Sequence, residues 1–300
     1  MSEAAFRNYL SLEKNYSDHT VQAYLRDLDA FAAYLEEEHG AIAFQEVPYT
    51  LIRSWVIRLM EEGISNRTIN RKISSLKAYF NFLQRKGSIT SNPLAGHKPL
   101  KTARKVEVPF SKEEMQRLFD QWPEQAGYEE LRDLTVVELL YTTGMRRAEL
   151  IGLGLSDADP VQRTLRVTGK RNKQRILPLL PGVARRLELY LQAREQQFPG
   201  SETPHLFLTS SGNKLYETLV YRIINRYLSK VSVKAKRSPH VLRHTFATHM
   251  LNQGADMNSV KELLGHSSLA STQVYTHNSI AELKRIHGAA HPRNRDHNKE

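Results

Sequence analysis

Apolar residues recur at helical spacing in four stretches of the first 90 residues. These stretches cover residues 6–12, 21–35, 51–60 and 69–83. A polar cap residue precedes each of the last three stretches and a glycine follows it, which is typical of helix starts and ends. The pattern predicts four helices, the last over 68–86, that together are long enough to bury a core of their own.

The apolar pattern changes in the remaining two thirds of the chain. Helical spacing predicts helices over 112–121 and 129–143, and Ser111 with Glu114 forms a capping box. Alternating apolar and polar residues then predict strands 164–168 and 174–179 around a turn at 169–173, and a third short strand at 205–209. A helix over 182–197 separates the hairpin from this third strand, and the rest of the chain to His287 is helical with breaks. The fold class is therefore mainly α with a small antiparallel β-sheet.

Residues 96–107 interrupt this periodicity with Pro, Gly and Lys, as a boundary between domains does. The chain thus divides into a helical domain (1–95), a basic linker (96–107), a second domain (108–290) and a polar tail (291–300). The second domain closes with a short amphipathic helix over 279–287.

Composition narrows the possible classes of protein. The 300 residues contain no cysteine, which excludes a disulfide framework, a thiolate metal site and a cysteine nucleophile. Apolar runs are too short to span a membrane, and the N-terminus lacks the apolar core of a signal peptide. We therefore expect a cytoplasmic protein, associated with the nucleoid if its ligand is DNA, with no membrane partner.

The net charge of +11 suggests a polyanionic partner, either nucleic acid or an acidic membrane surface. Residues 1–52 carry 3 basic and 9 acidic side chains, whereas residues 53–86 carry 8 and 2. The last predicted helix of the first domain is thus a candidate phosphate-binding face, through Arg67, Arg71, Lys72 and Lys77. The basic linker, with Lys101 and Arg104, is either a solvated connection or an arm along a phosphate backbone.

The predicted hairpin is the second basic region. Between Arg163 and Arg175 there are six basic residues and no acid. Such a hairpin can lie along a duplex groove, with Lys170 at its tip and with DNA-binding candidates Arg171, Lys173 and Arg175, or it can be a solvated turn. The solvated turn is the less favourable alternative, because a patch of like charges repels itself when no partner is bound.

Two further segments contain candidate catalytic groups. In TGMRRAEL (143–150), Gly144 ends a helix and Arg146 begins the next, which suits either a bound phosphate or a capped helix with surface arginines. In SPHVLRHTFATH (238–249), His240 and Arg243 share a helix face. His240 and His244 have the spacing of a zinc pair, but no Glu or Cys completes a site, so no metal is predicted.

Tyr275 lies nine residues after His266 in LLGHSSLASTQVYTH (263–277). A lone tyrosine is more often a packing residue than a nucleophile, since a phenol needs cationic neighbours to react at neutral pH. Together, however, two arginines, histidine, lysine and tyrosine supply what metal-independent phosphoryl transfer requires. The clusters lack the acidic pairs of a two-metal nuclease.

These segments, with VTGKRNKQRILPL (167–179), resemble the tyrosine site-specific recombinases of the phage integrase family, and within them the Xer-type chromosome-dimer recombinases. The resemblance covers nearly the whole chain. It implies a helical, SAM-like core-binding domain followed by an α+β catalytic domain. The family's catalytic set falls on six positions of this sequence: Arg146, Lys170, His240, Arg243, His266 and Tyr275.

The resemblance also implies a role for each of these residues. Tyr275 attacks the scissile phosphate and forms a 3′-phosphotyrosyl link, Arg146 and Arg243 hold the non-bridging oxygens, and Lys170 protonates the leaving 5′-oxygen. His240 assists proton transfer, and His266 hydrogen-bonds a phosphate oxygen. The chain departs from the family's pattern at Arg171, where a second glycine is usual, and it carries Arg147 beside the catalytic arginine.

No cofactor is expected, and double-stranded DNA with a specific recombination site is the implied ligand. The partners implied are the same or a related recombinase in a tetramer around a Holliday junction, together with a possible DNA translocase activator. The C-terminal helix is expected to dock onto the neighbouring protomer. The alternatives are an integrase or transposase of a mobile element, a non-catalytic DNA-binding accessory protein and, more distantly, a type IB topoisomerase. Core-binding helices that begin almost at Met1 favour the Xer type.

Overall fold

The computed structural model describes residues 3–102, 107–120, 126–169, 172–234, 236–265 and 277–295. The chain divides into two compact units, Met1–Lys105 and Val106–Glu300, so the division falls within the linker expected at 96–107. Each unit encloses a hydrophobic core of its own. No described helix is long and apolar enough to cross a membrane.

The first unit consists of the four expected helices. They are α1 (Glu3–Asn8, continued by a π-helical turn at Tyr9–Glu13), α2 (Asp18–His39), α3 (Tyr49–Glu61) and α4 (Asn66–Arg85). Ser65 caps α4 by accepting a hydrogen bond from the backbone N–H of Thr68. The start of the predicted linker also belongs to this unit, because the Asn70 side chain hydrogen-bonds both the N–H and the C=O of Leu100.

The second unit surrounds a central buried helix. Its described helices are α5 (Lys112–Asp120), α6 (Tyr128–Thr143), α7 (Arg147–Gly152), α8 (Pro181–Gln197), α9 (Glu217–Ser229), α10 (Pro239–Asn252), α11 (Met257–Leu264), α12 (His277–Ala290) and α13 (Pro292–Arg295). The capping box of α5 is confirmed by two hydrogen bonds: Ser111 N–H to Glu114 Oε2 at 2.7 Å, and Glu114 N–H to Ser111 Oγ at 3.1 Å. Helix α6 is buried along nearly its whole length, which makes it the centre of the core.

The sheet is antiparallel with the order β1-β2-β3, formed by Ala158–Asp159, Thr164–Thr168 and Gln174–Pro178. The hairpin is as predicted, but the third strand expected at 205–209 is wrong. That segment forms single bridges from His205 to Gly154 and from Leu208 to Lys214. The segment is apolar because it is buried in the core. Its backbone hydrogen bonds go to several loops instead of to one neighbouring strand.

The C-terminal helix α12 contacts β3 and α10 of its own unit, and its expected docking onto a neighbouring protomer stays a prediction. Leu283 is buried, and His287 Nε2 lies 2.7 Å from the Thr142 carbonyl oxygen, to which it donates as a neutral ring. The polar tail expected from residue 291 begins with buried residues. His291 and Arg293 are buried, because His291 lies against the rings of Tyr141 and Phe246 and Arg293 Nε donates to Glu138.

Candidate active site

The junction between α6 and α7 positions the first arginine of the predicted set. Gly144 ends α6 in the left-handed conformation (φ 63°), and a Cβ at this position would lie 2.8 Å from Leu264 Cδ2 and closer still to Phe246 Cδ1. Only glycine fits there, since both the conformation and the space exclude a side chain. The chain then extends through Met145 so that Arg146 is the N-cap residue of α7.

Arg146 is held by the carboxylate of Glu149, one turn into α7. The Arg146 backbone N–H donates to Glu149 Oε2 at 2.8 Å, and Arg146 Nη1 donates to Oε1 at 2.8 Å. Its Nη2 lies 3.5 Å from the Gly265 carbonyl oxygen, at the end of α11. The side chain remains 35% exposed, so the guanidinium is oriented and still accessible to a ligand.

Arg243 on α10 approaches the same place from the other side. Its Nη1 donates to the Gly144 carbonyl and its Nη2 to the Leu264 carbonyl, both at 2.7 Å. Arg146 and Arg243 therefore bind the successive carbonyls of Gly265 and Leu264. Burial lowers the pKa of Arg243 to about 10, and the charge of Arg146 acts in the same direction while Glu149 opposes it. Arg243 consequently stays protonated at neutral pH.

Arg175 is the largest correction to the predicted DNA-binding set. It is only 7% exposed and forms a bidentate pair with Glu149, with distances of 3.0 Å (Nη1 to Oε1) and 2.8 Å (Nη2 to Oε2). Its Nε donates to the Leu263 carbonyl at 3.0 Å. The physical reason is strand alternation, because Arg175 shares the inward face of β3 with buried Leu177.

Glu149 is the functional residue that the sequence reasoning missed. Burial raises the pKa of its carboxyl, but hydrogen bonds and charge from Arg175, together with hydrogen bonds from Arg146, outweigh burial and bring the pKa to about 2. The carboxylate is thus ionised throughout the neutral range. A capping-box spacing, with the acid three residues after Arg146, was the available signal.

Close packing around Arg175 joins the end of α11 to the hairpin. A Cβ at Gly265 would lie 3.0 Å from Arg175 Nη1 and 3.1 Å from its Cζ. The guanidinium therefore stacks directly on the backbone of Gly265, the residue that precedes His266 in the sequence. Arg175 acts within the protein interior as a connector between Glu149 and α11.

The other predicted catalytic positions differ in how far the structure describes them. His240 is exposed in the first turn of α10, one turn before Arg243, and Ser238 caps this helix by accepting a hydrogen bond from the backbone N–H of Val241. Lys170, His266 and Tyr275 lie outside the described residues, as do the DNA-binding candidates Arg104 and Arg171. Arg147 pairs with Glu217 of α9.

The remaining DNA-binding candidates are distributed over exposed and partly buried positions. Arg67, Lys101 and Lys173 are exposed, and Lys77 is half-buried. Arg71 and Lys72 both approach the buried carboxylate of Asp27 on α2, which the sequence reasoning did not single out. Lys72 is turned toward its own unit, with its ammonium 5.5 Å from the centre of the Trp55 ring.

Among the described residues, no three carboxylate or imidazole groups are placed to hold a metal ion together. The described part of the site is instead strongly cationic. It combines Arg146, Arg175 and Arg243 with one carboxylate, Glu149, for a net charge of +2. Exposed guanidinium edges of this kind bind phosphate oxygens bidentately.

Two family models match the chain. The phage integrase family model matches residues 109–282, and the model of the phage integrase N-terminal SAM-like domain matches residues 4–87. The chain is 39% identical to tyrosine recombinase XerC of Chlorobaculum parvum, over 96% of this chain and 93% of that one. It is 37% identical to tyrosine recombinase XerC of Bacillus subtilis, over 96% and 95% of the two chains.

Solved structures share the fold at lower identity. The XerH site-specific recombinase, in a post-cleavage complex with a palindromic difH substrate, matches with a TM-score of 0.71 and 20% identity over 95% of this chain and 83% of that one. The Tn1549 transposon integrase, in complex with a circular intermediate DNA, gives 0.69 and 22% over 95% and 99%. The resemblance noted in the sequence is thereby confirmed: this chain belongs to the phage integrase family and to its tyrosine recombinases, enzymes that cut and rejoin DNA through a tyrosine nucleophile.

Proposed function

We propose that the chain is a site-specific recombinase that resolves chromosome dimers at a dif-like site through a 3′-phosphotyrosyl intermediate and a Holliday junction. The observation that carries the chemistry is the convergence of Arg146 and Arg243 on the successive carbonyls of Gly265 and Leu264. Two fixed guanidiniums at one place can hold both non-bridging oxygens of a single phosphate. The charge that builds up on these oxygens in the transition state is then stabilised without movement of the protein.

The reaction follows from this clamp and from the family's assignment of roles. The Tyr275 oxygen forms a bond to phosphorus, and the bond from phosphorus to the 5′-oxygen breaks. Lys170 delivers a proton to the departing 5′-oxygen, His240 assists removal of the phenol proton, and His266 hydrogen-bonds a phosphate oxygen. Because the phosphotyrosyl ester conserves the phosphodiester bond energy, a 5′-hydroxyl of a partner strand can reverse the step without ATP or a cofactor.

The recombination partner and the cellular role are part of the same proposal. The ligand is double-stranded DNA carrying the recombination site, bound by a tetramer of this chain alone or of this chain with a related recombinase, in the cytoplasm at the nucleoid. A DNA translocase is the proposed activator. The support for a chromosomal role is that relatives 36–40% identical over nearly the whole chain are named tyrosine recombinase XerC.

The nucleophile is tested with a nicked suicide duplex, whose cleaved end diffuses away and traps the covalent complex. We expect the wild-type protein to accumulate an adduct that resists denaturation and migrates more slowly on a gel. Tyr275→Phe should bind the same duplex and form no adduct. Tyr49→Phe, which removes an exposed hydroxyl of α3, is the matched control and should form the adduct normally. An adduct in Tyr275→Phe would disprove the assignment of the nucleophile.

The cellular role is tested by mapping where the protein binds the genome. Crosslinking and immunoprecipitation should enrich one chromosomal site near the replication terminus, and deletion of the gene should leave unresolved chromosome dimers. Enrichment at the ends of a mobile element would instead establish the integrase or transposase alternative. Recombination of the enriched site by the purified chain alone distinguishes one recombinase from a pair.

A further inference from the structure

The basic helix α4 of the first unit contains one arginine that differs from its neighbours. Between Asn66 and Arg85 the helix has basic residues and no acid. Arg71 nevertheless has a carboxylate partner, Asp27 on α2, to which it donates from Nη1 to Oδ2 and, at 2.9 Å, from Nη2 to Oδ1. Asp27 is 2% exposed, whereas the Arg71 side chain is 47% exposed.

The Asp27 carboxylate is itself fixed in place. Buried Ser75 donates from Oγ to Oδ2 at 2.7 Å, and the Lys72 ammonium lies 3.6 Å from Oδ1. A carboxylate with three polar neighbouring side chains and almost no solvent contact has little freedom to rotate. The Arg71 guanidinium is therefore held in a defined position at the surface of α4, whereas an arginine that extends freely into water is not.

The geometry of this pair leaves a usable donor edge. A guanidinium has five N–H donors, and the two terminal nitrogens each spend one on Asp27. Nε–H and the outer hydrogen of the adjacent terminal nitrogen form a second pair of parallel donors that the Asp27 pairing does not use. The N7 and O6 atoms of guanine accept two such parallel bonds in the major groove.

The charge around Arg71 favours a base edge over a phosphate. Asp27, Arg71 and Lys72 together carry a net charge of +1, so the carboxylate weakens the general attraction to phosphates at this point. Phosphate contacts need charge and tolerate variable geometry, whereas base contacts need fixed donors. Asp27 therefore lowers the net positive charge of the cluster and, in doing so, fixes the orientation of the Arg71 guanidinium.

We propose that Arg71 reads a guanine of the DNA site through its N7 and O6 atoms, and that Asp27 is the positioning residue that makes this reading specific. The inference rests on the proposed function only in that the ligand is duplex DNA with a defined sequence. Exposed Arg67, one turn earlier on α4, then contributes affinity without sequence preference.

The test is selection of bound sequences from a pool of random duplex DNA by the full-length protein. Wild type should enrich a site with a guanine preference in each half. Arg71→Lys keeps the charge and the ion pair but loses the planar donor edge, so preference for that one guanine should fall roughly 5- to 150-fold while other positions are retained. The control is the same exchange at Arg58 of α3, whose side chain is bound to three carboxylates, those of Glu37, Glu38 and Glu62. Arg58→Lys should enrich the wild-type site.

Asp27→Asn separates positioning from a merely structural role. Asparagine keeps an acceptor for Arg71 and adds one positive charge to the cluster. We expect binding to random DNA to become tighter while discrimination for guanine falls. A residue that only supports the fold would lower binding to all sequences by the same factor, set by the folded fraction measured by thermal denaturation. It would leave the discrimination for guanine unchanged, because discrimination is a ratio of two affinities.

The outcomes distinguish this inference from the proposed function. Unchanged guanine preference in Arg71→Lys would overturn the inference and leave the recombinase assignment untouched, because the wild-type protein would still select a site and form its covalent adduct. Retention of full guanine discrimination in Asp27→Asn would overturn the positioning role. Failure of the wild-type protein to enrich any sequence would overturn both proposals.

Discussion

Each unit of the molecule contains a buried carboxylate that holds an accessible arginine, and the two arrangements differ in what else the carboxylate binds. In the first unit, Asp27 holds Arg71, with Lys72 nearby. In the second unit, Glu149 holds Arg146 and also a second, buried guanidinium, that of Arg175. The second unit thus places a whole arginine side chain, that of Arg175, in the protein interior, away from any ligand.

The buried arginine changes what the accessible one offers to a ligand. With Arg175 balancing Glu149, the full charge of Arg146 faces outward beside Arg243, as charge stabilisation of a transferring phosphoryl group requires. Without an equally close second partner, the Asp27 carboxylate cancels much of the charge of Arg71. The difference suggests that the second unit arranges its arginines for charge and the first unit arranges its arginine for orientation.

The largest expected difference between the two units is the loss of stability when the carboxylate is removed. Glu149→Ala leaves the buried Arg175 without its ion-pair partner, so we expect the free energy of unfolding to fall by roughly 3–5 kcal/mol. Asp27→Ala should cost less, about 1–3 kcal/mol, because the half-exposed Arg71 can be hydrated instead. Chemical denaturation of both variants measures the two values.

The same pair of variants also tests the comparison functionally. Glu149→Ala releases Arg146 and should slow formation of the covalent adduct on the suicide duplex, even at a temperature at which the variant is folded. Asp27→Ala should change which sequence is bound and leave the cleavage rate on bound duplex unchanged. Equal losses of stability, or a cleavage defect in Asp27→Ala alone, would show that the two carboxylates do not differ as proposed.

A smaller loss of stability is expected from a methyl group at the helix end that supports Arg243. Gly144→Ala combines a left-handed backbone with a Cβ driven against Phe246 and Leu264, for a cost of roughly 2–4 kcal/mol. Gly87→Ala in the first unit has the same sign of φ (71°) but open space around it, so only the backbone cost of about 1–2 kcal/mol remains. Thermal denaturation of the two variants compares them, and an equal cost would mean that the packing around Gly144 relaxes freely.

The sequence predicted the helices and the hairpin because their signals are local. Caps such as Ser65 and Ser111 and the alternation in β2 and β3 involve residues close together in the chain. The strand β1, only two residues long, has no periodicity to detect, and the apolar run at 205–209 reveals burial but not its hydrogen-bond partners. The predicted site contained Arg146 and Arg243 through their motifs. Arg175 was misassigned because its charge was given more weight than its place on the inward face of β3, which it shares with Leu177. Glu149 was missed because the capping-box spacing to Arg146 was overlooked and its other partner, Arg175, comes from a distant element.

Acid should distinguish the units by a final, smaller effect. Burial lowers the pKa of His287 in the second unit to about 4, and it also lowers the pKa values of His249 and His291. An unfolded histidine has a pKa near 6.5, so the unfolded chain binds more protons below that pH and acid favours unfolding. For His287 alone, lowering the pH from 7.5 to 5 should remove roughly 2 kcal/mol of stability.

Hydrogen exchange, corrected for its intrinsic pH dependence, measures this effect in each unit. Protection should be lost in α12 and around α6 before it is lost in α2 and α4. In the first unit, half-buried His97 is the described histidine with a lowered pKa. Loss of protection in the first unit at the same or higher pH would contradict this order, and His287→Phe should make the second unit less sensitive to acid.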